Sequence, residues 1–160
     1  MRGWLGEHQP FRIHLGFGRF SYEGADSSEF QGIVGTAAWR LRLGPETRLQ
    51  LEAIRRTLPS NFQTYYINNA VNVELEREWR RFEAGTELEL TQNDYGDEFL
   101  GCDGNRRRDF TADVSLNAGW RMHERMKFEV STFMKRRSST CDSSEYEAGG
   151  IEVGMSLGWF

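Results

Sequence analysis

Apolar side chains return at every second position through most of this chain. The pattern is plainest at residues 151–160, where Ile151, Val153, Met155, Leu157 and Trp159 alternate with Glu152, Gly154, Ser156 and Gly158. A two-residue period places successive side chains on opposite sides of an extended backbone, so the stretch predicts a strand with one apolar and one polar face. Seven earlier stretches behave alike. Phe11, Ile13, Leu15 and Phe17 predict a strand to about residue 22, and Ile33, Ala37, Trp39, Leu41 and Leu43 a second over about 29–43. Leu49, Leu51 and Ala53 begin a third that stops near Leu58. Ile67, Val71, Val73, Leu75 and Trp79 mark a fourth over about 63–79. Three more follow, at Phe82 to Leu90, Phe110 to Trp120 and Phe128 to Met134. Residues 1–10 have no clear period and read as irregular, or as the remnant of a preceding strand.

The connections alternate in length. Residues 23–28, 59–62, 93–107 and 137–144 are polar loops, while 44–47, 80–81 and 122–125 are tight turns. Short turns on one rim and long loops on the other are the asymmetry of a transmembrane β-barrel. Trp39, Trp79, Trp120 and Trp159 follow one another at 40, 41 and 39 residues. All four share the apolar parity near the short-turn rim, as an interfacial aromatic girdle requires. Tyr22, Tyr65, Tyr66, Tyr95 and Tyr146 fall toward the long-loop rim and form a candidate second girdle. The predicted fold is all-β: one domain over residues 1–160, an antiparallel up-and-down transmembrane β-barrel of about eight strands. It is either a complete small barrel or the C-terminal half of a larger one.

Composition narrows this further. Hydrophobic content of 38% and no apolar run of 18 residues exclude helical membrane spans, whereas a barrel strand needs only about 10 residues with every second one apolar. The net charge of −4 gives no reason to expect nucleic acid as a partner. Met1-Arg2-Gly3-Trp4-Leu5-Gly6 lacks the basic and apolar regions of a signal peptide, so a mature chain or part of a longer precursor is expected, the latter preferred. Cys102 and Cys141 exclude a compact cysteine-rich zinc motif. They read as a disulfide pair in an oxidising compartment or as two unrelated thiols.

The segment Thr47-Arg48-Leu49-Gln50-Leu51-Glu52-Ala53-Ile54-Arg55-Arg56, followed by Ser60 and Tyr65-Tyr66, resembles a repeat of one family. These are the outer-membrane β-barrel porins found with bacterial exopolysaccharide gene clusters. The likeness runs from about Leu15 to Phe160 as a pattern of hairpins. It implies an outer-membrane location in a Gram-negative-type cell and a channel that exports or passes polysaccharide. Outer-membrane lipid, lipopolysaccharide and the barrel-assembly machinery are the implied partners, and no cofactor is expected. Family members are longer, so the likeness implies the last strands of a larger barrel. Trp159 is in phase with the apolar residues and Phe160 is one residue off, a departure from the usual terminal signal.

If the apolar parity faces lipid, the other parity lines the interior. Glu74, Glu76, Glu78, Glu83, Glu87, Glu89 and Asp113 form an acidic wall there, and Arg12, Arg40 and Arg42 a basic one. Folding the hairpin at Arg80-Arg81 sets Glu78 opposite Glu83 and Glu74 opposite Glu87. Like charges across a ladder are tolerated where the face is wet or neutralised, and would cost far more in a dry core. One reading is a water-filled pore wall; another is a plugged structural or surface-binding barrel working through its loops. A third, a soluble ligand-binding barrel, reverses the faces, and parity alone does not separate it. His8, His14 and His123 lack metal-ligand spacing, so no metal site is expected. No His–Ser pair suits lipid-modifying catalysis, and paired carboxylates alone do not identify a glycosidase, so no enzyme is expected. Arg106-Arg107-Arg108 reads as a solvated loop, or as a contact for anionic sugar or lipopolysaccharide phosphate.

Overall fold

In a computed structural model the chain is described over residues 2–4, 10–21, 29–60, 65–98, 106–141 and 144–158. Nine strands form one sheet in sequence order: β1 (Arg2–Trp4), β2 (Pro10–Ser21), β3 (Glu29–Arg42), β4 (Thr47–Pro59), β5 (Tyr65–Trp79), β6 (Phe82–Glu98), β7 (Arg106–His123), β8 (Met126–Ser139) and β9 (Tyr146–Leu157). Every neighbouring pair is antiparallel. Eight long up-and-down strands are thus present, with no α-helix among the described residues.

The sheet is open. Among the described residues no ladder joins β9 to β1 or β2, so the closed small barrel, one of the two expected forms, is not what this fold is. Direction explains part of this. Eight antiparallel steps leave β1 running the same way as β9, and β1 already covers β2 at Pro10–Arg12. An all-antiparallel closure through β1 is therefore barred.

Several strands outrun their apolar stretches. β6 extends to Glu98 and β7 begins at Arg106, so much of the expected 93–107 loop is ladder, with Asn93 opposite Asp109 and Asp94 opposite Arg108. β8 spans Met126–Ser139, β9 begins at Tyr146, and Arg2–Trp4 is a short strand. Backbone pairing does not depend on apolar side chains, so ladders continue where period-two hydrophobicity fades. The turn at Arg80-Arg81 holds Arg80 at a φ of 54°, a left-handed value that glycine adopts with less strain.

The register assigns every face. One apolar rung joins Phe11, Trp39, Leu51, Val73, Leu88, Val114, Met134 and Gly149; a neighbouring polar rung joins Arg40, Gln50, Glu74, Glu87 and Ser115. Among the described residues no second layer covers either face. The accessible surface is 11909 Å² at 18.6 kDa, against about 8,200 Å² for a compact monomer of that mass.

Burial is nonetheless unequal between the faces. Asn68, Thr91, Asp109 and Thr111 are buried and lie on the polar face, whereas Val71, Leu75, Val114, Leu116, Val130 and Val153 on the apolar face are exposed. In a single-layered sheet the side chains on the concave side crowd and those on the convex side splay. The sheet therefore curls toward its polar face.

Candidate functional site: the charged concave wall

All ten residues expected to line an interior share the concave face. Arg12 stands on β2, Arg40 and Arg42 on β3, Glu74, Glu76 and Glu78 on β5, Glu83, Glu87 and Glu89 on β6, and Asp113 on β7. Glu78 is opposite Glu83 and Glu74 opposite Glu87, and the register adds a third like-charged rung, Glu89 opposite Asp113. The two-residue turn at Arg80-Arg81 sets these pairings, because hairpin register follows turn length.

Bases from both sides neutralise parts of this acidic ladder. Arg48 Nη2 is 2.9 Å from Glu78 Oε1, and Lys135 Nζ is 3.0 Å from Asp113 Oδ2. Lys127 Nζ bridges Glu83 and Glu129, at 2.6 Å from the latter. Glu87 accepts from Asn72 Nδ2 at 2.8 Å, Glu89 accepts from Thr91 Oγ1 at 2.9 Å, and Arg40 Nε donates to Gln50 Oε1 at 2.6 Å. Glu74 and Glu87 have no cation in ion-pair contact among the described residues. Arginines thus predominate on β2–β4 of the wall and carboxylates on β5 and β6, while β8 carries Lys127 and Lys135 together with Glu129. At its short-turn end a concavity of about 680 Å³ is lined by residues including Arg121, Lys127, Glu129 and Ser156.

The best-satisfied cluster, at the long-loop end, is one that sequence reasoning missed. Asp109 is fully buried. It accepts from Arg107 Nε and Nη2 at 2.9 and 2.6 Å, from Ser139 Oγ at 2.6 Å and from Tyr95 OH at 3.4 Å. Arg107 lies over the Tyr95 ring at 4.8 Å, and Cys141 N donates to Ser139 Oγ at 3.1 Å. Asp109 precedes the apolar run Phe110–Trp120 and so stands outside it. Burial opposes ionisation of its carboxyl, but hydrogen bonds from Arg107 and Ser139 outweigh that, and it titrates below the ordinary carboxylate range. Arg-x-Asp at 107 and 109 is same-face spacing on a strand and was the available signal.

The arginine run 106–108 is accordingly not a solvated loop. The strand splits it between faces: Arg107 binds Asp109, and Arg108 Nε binds Asp94 Oδ1 at 2.6 Å on the other side. The second aromatic girdle also needs correction. Tyr66, Tyr95 and Tyr146 point to the polar face, with Tyr66 and Tyr95 in ring contact at 5.3 Å. Tyr65 keeps the apolar parity but is buried, and Tyr22 lies outside the described residues. Cys141 is disulfide-bonded; Cys102 and Trp159 lie outside the described residues.

The convex face has its own order. Trp79, Phe82 and Trp120 form a row near the short turns, with Phe82 stacked on Trp120 at 6.2 Å. Trp39 lies on the rung of Val114, six residues along β7 from Trp120. Toward the long loops the first charges on this face are Arg19, Arg55, Asp94, Arg108, Arg136 and Glu147. Toward the short turns Arg77 reaches Glu46 at 3.9 Å and lies 5.4 Å from the Trp79 ring. Between these limits the described residues of the face carry no charge.

The long-loop limit of this band is offset between the two outer strands, with Arg55 two residues, Arg108 and Asp94 four residues beyond the rung of Glu147 on the strands between. Glu147, its limit on β9, shares a rung with Arg136, Ala112, Leu90, Val71, Ala53, Ala37 and Ile13. The limit on β2 is Arg19, six residues beyond Ile13. The chain matches no protein-family model and no curated protein.

Proposed function

We propose that this chain forms wall of an outer-membrane β-barrel channel, with the convex apolar face toward lipid and the concave charged face toward an aqueous interior. The observation that carries the reading is the inverted burial: polar side chains crowd the concave face while the large apolar ones splay outward. A soluble ligand-binding barrel has the opposite arrangement, because its concave side must be the apolar one. Polysaccharide export is the role implied by the resemblance to porins of exopolysaccharide gene clusters. On this reading the chain is a conduit and not an enzyme. Its partners are outer-membrane lipid, lipopolysaccharide at the long-loop rim and the assembly machinery.

Accessibility on reconstituted protein tests it. Labels at Val114, Leu116 and Ala118 should report lipid, and labels at Asp113, Ser115 and Asn117 water; the reverse pattern removes the membrane reading. The ion pairs of Lys127, Lys135 and Arg48 favour a second reading, a plugged barrel acting through its loops. Planar-bilayer conductance separates the two. A channel conducts, and replacing Glu74, Glu78, Glu83 and Glu87 by Gln lowers its cation preference, because carboxylates act on passing ions within a Debye length of ~8 Å.

A further inference from the structure

At the long-loop end of the concave face a row of polar side chains runs out of acceptors. Arg56 on β4 can only donate, and its Nε reaches Asn68 Oδ1 on β5 at 3.1 Å. That contact fixes the amide of Asn68 and turns its nitrogen toward β6, where Nδ2 donates to Asn93 Oδ1 at 2.8 Å. The amide nitrogen of Asn93 is left over. Next along the rung, Asp109 on β7 is already saturated by Arg107, Ser139 and Tyr95. One rung lower, Arg137 Nε on β8 lies 3.5 Å from Thr111 Oγ1, with the guanidinium 4.8 Å from the Tyr146 ring. The oxygens of the row are thus taken. The Nη groups of Arg56 and Arg137 and the amide nitrogen of Asn93 have no acceptor among the described residues.

We infer that this row is a station for an oxyanion, the carboxylate or phosphate group of a solute, anchored by Arg56 and Arg137 and oriented by Asn93. Guanidinium groups bind such anions through paired N–H donors, more strongly than neutral donors do. A metal cation would meet donors only. Asn68 and Thr111 are 6% and 7% exposed, so the framework that carries the donors is held in place. Because the sheet curls toward this face, the two ends of the row turn toward each other and one anion can engage both.

Charge favours the same occupant. Arg56, Arg107 and Arg137 share this end of the face with one carboxylate, Asp109, which Arg107 already binds. Carboxylates begin on the rung below Arg137, with Glu52, Glu89 and Asp113, the last paired to Lys135. That boundary confines the anion to the long-loop end. The station itself does not depend on which face meets lipid. Its place in a conduit rests on the reading proposed above: there it gathers anionic solutes at the long-loop mouth, before the acidic ladder opposes them.

An NMR titration of the full chain in detergent micelles tests it, with inorganic phosphate and acetate added separately and chloride at matched ionic strength as the blank. The Nε resonances of Arg56 and Arg137 and the side-chain amide of Asn93 should shift saturably, with one dissociation constant. Whether phosphate, acetate or both produce the shift names the source, a phosphate ester or a carboxylate. Arg56→Gln and Arg137→Gln should each weaken binding about tenfold, the scale of one hydrogen bond to a charged group. Arg77→Gln, on the convex face near the short turns, should leave it unchanged. In unsubstituted protein, saturating anion should slow amide exchange around Arg56, Asn68 and Asn93 more than chloride does, which covers the case where the variants do not fold. Shifts that never saturate, shifts that chloride reproduces, or a constant unchanged in either arginine variant would overturn the station. The membrane reading stands or falls separately, on whether Leu116 reports lipid or water.

Discussion

The two faces of this sheet obey opposite rules. On the convex face a charge-free band of Leu, Val, Phe and Trp is open to its surroundings; on the concave face carboxylates, amides and guanidiniums are crowded and bonded to one another. Among the described residues, the one side chain that is wholly buried is an aspartate, Asp109. In a water-soluble domain apolar burial drives folding and charged groups remain outside. Here the order is reversed, and the reversal is what lipid would select on the membrane reading proposed above. Unpaired polar groups are the costly ones there, and apolar side chains need no cover.

The largest expected effects come from breaking each face by its own rule. Asp109→Ala removes the carboxylate that Arg107, a nearly buried cation, pairs with, and should cost about 3–5 kcal/mol in urea unfolding, the usual result of removing one partner of a buried pair. The same carboxylate gives a pH dependence. Its folded pKa is depressed, so its contribution is complete above the unfolded value of about 3.9 and fades as pH falls through the folded value. Hydrogen exchange should show β7 and β8 opening at the long-loop rim below about pH 4, with Asp109→Asn removing that acid step.

Leu116→Arg on the convex face should cost about 2–4 kcal/mol in bilayers, while Ser115→Arg, its neighbour on the concave face, costs under ~1. Equal costs at the two positions would remove the distinction between faces. Below these lies Arg80→Gly. Relief of the left-handed φ and the added freedom of the unfolded glycine nearly offset each other, so a gain of ~0.5 kcal/mol is expected.

Strand order, turn positions and the faces of the residues in the apolar runs were legible in the sequence, because period two and turn length fix them together. Glu74 opposite Glu87 follows from the two-residue turn at Arg80-Arg81 with no further information. What was not legible follows from physics that period two does not encode. The ladder beyond Gln92 and before Phe110 is held by backbone pairing and ion pairs, so its side chains show no apolar signal. The inward turn of Tyr66 and Tyr95 was obscured by judging them from nearness to a rim instead of from parity.

The smallest effect discriminates most finely within the concave wall. Glu83 and Glu87 are both glutamates on β6, four residues apart, and both face a glutamate of β5. Glu83 contacts Lys127, while Glu87 has the Asn72 amide at 2.8 Å and Glu74 directly opposite. Removing charge at the first position loses a partly exposed ion pair; removing it at the second relieves a like-charge rung. Glu83→Gln should therefore destabilise and Glu87→Gln stabilise, each by roughly 0.2–1 kcal/mol. Unfolding in low salt reads both, and the gap should narrow at about 1 M salt, where the Debye length falls to ~3 Å. Shifts of the same sign would mean that the wall is neutralised as a whole and not pair by pair.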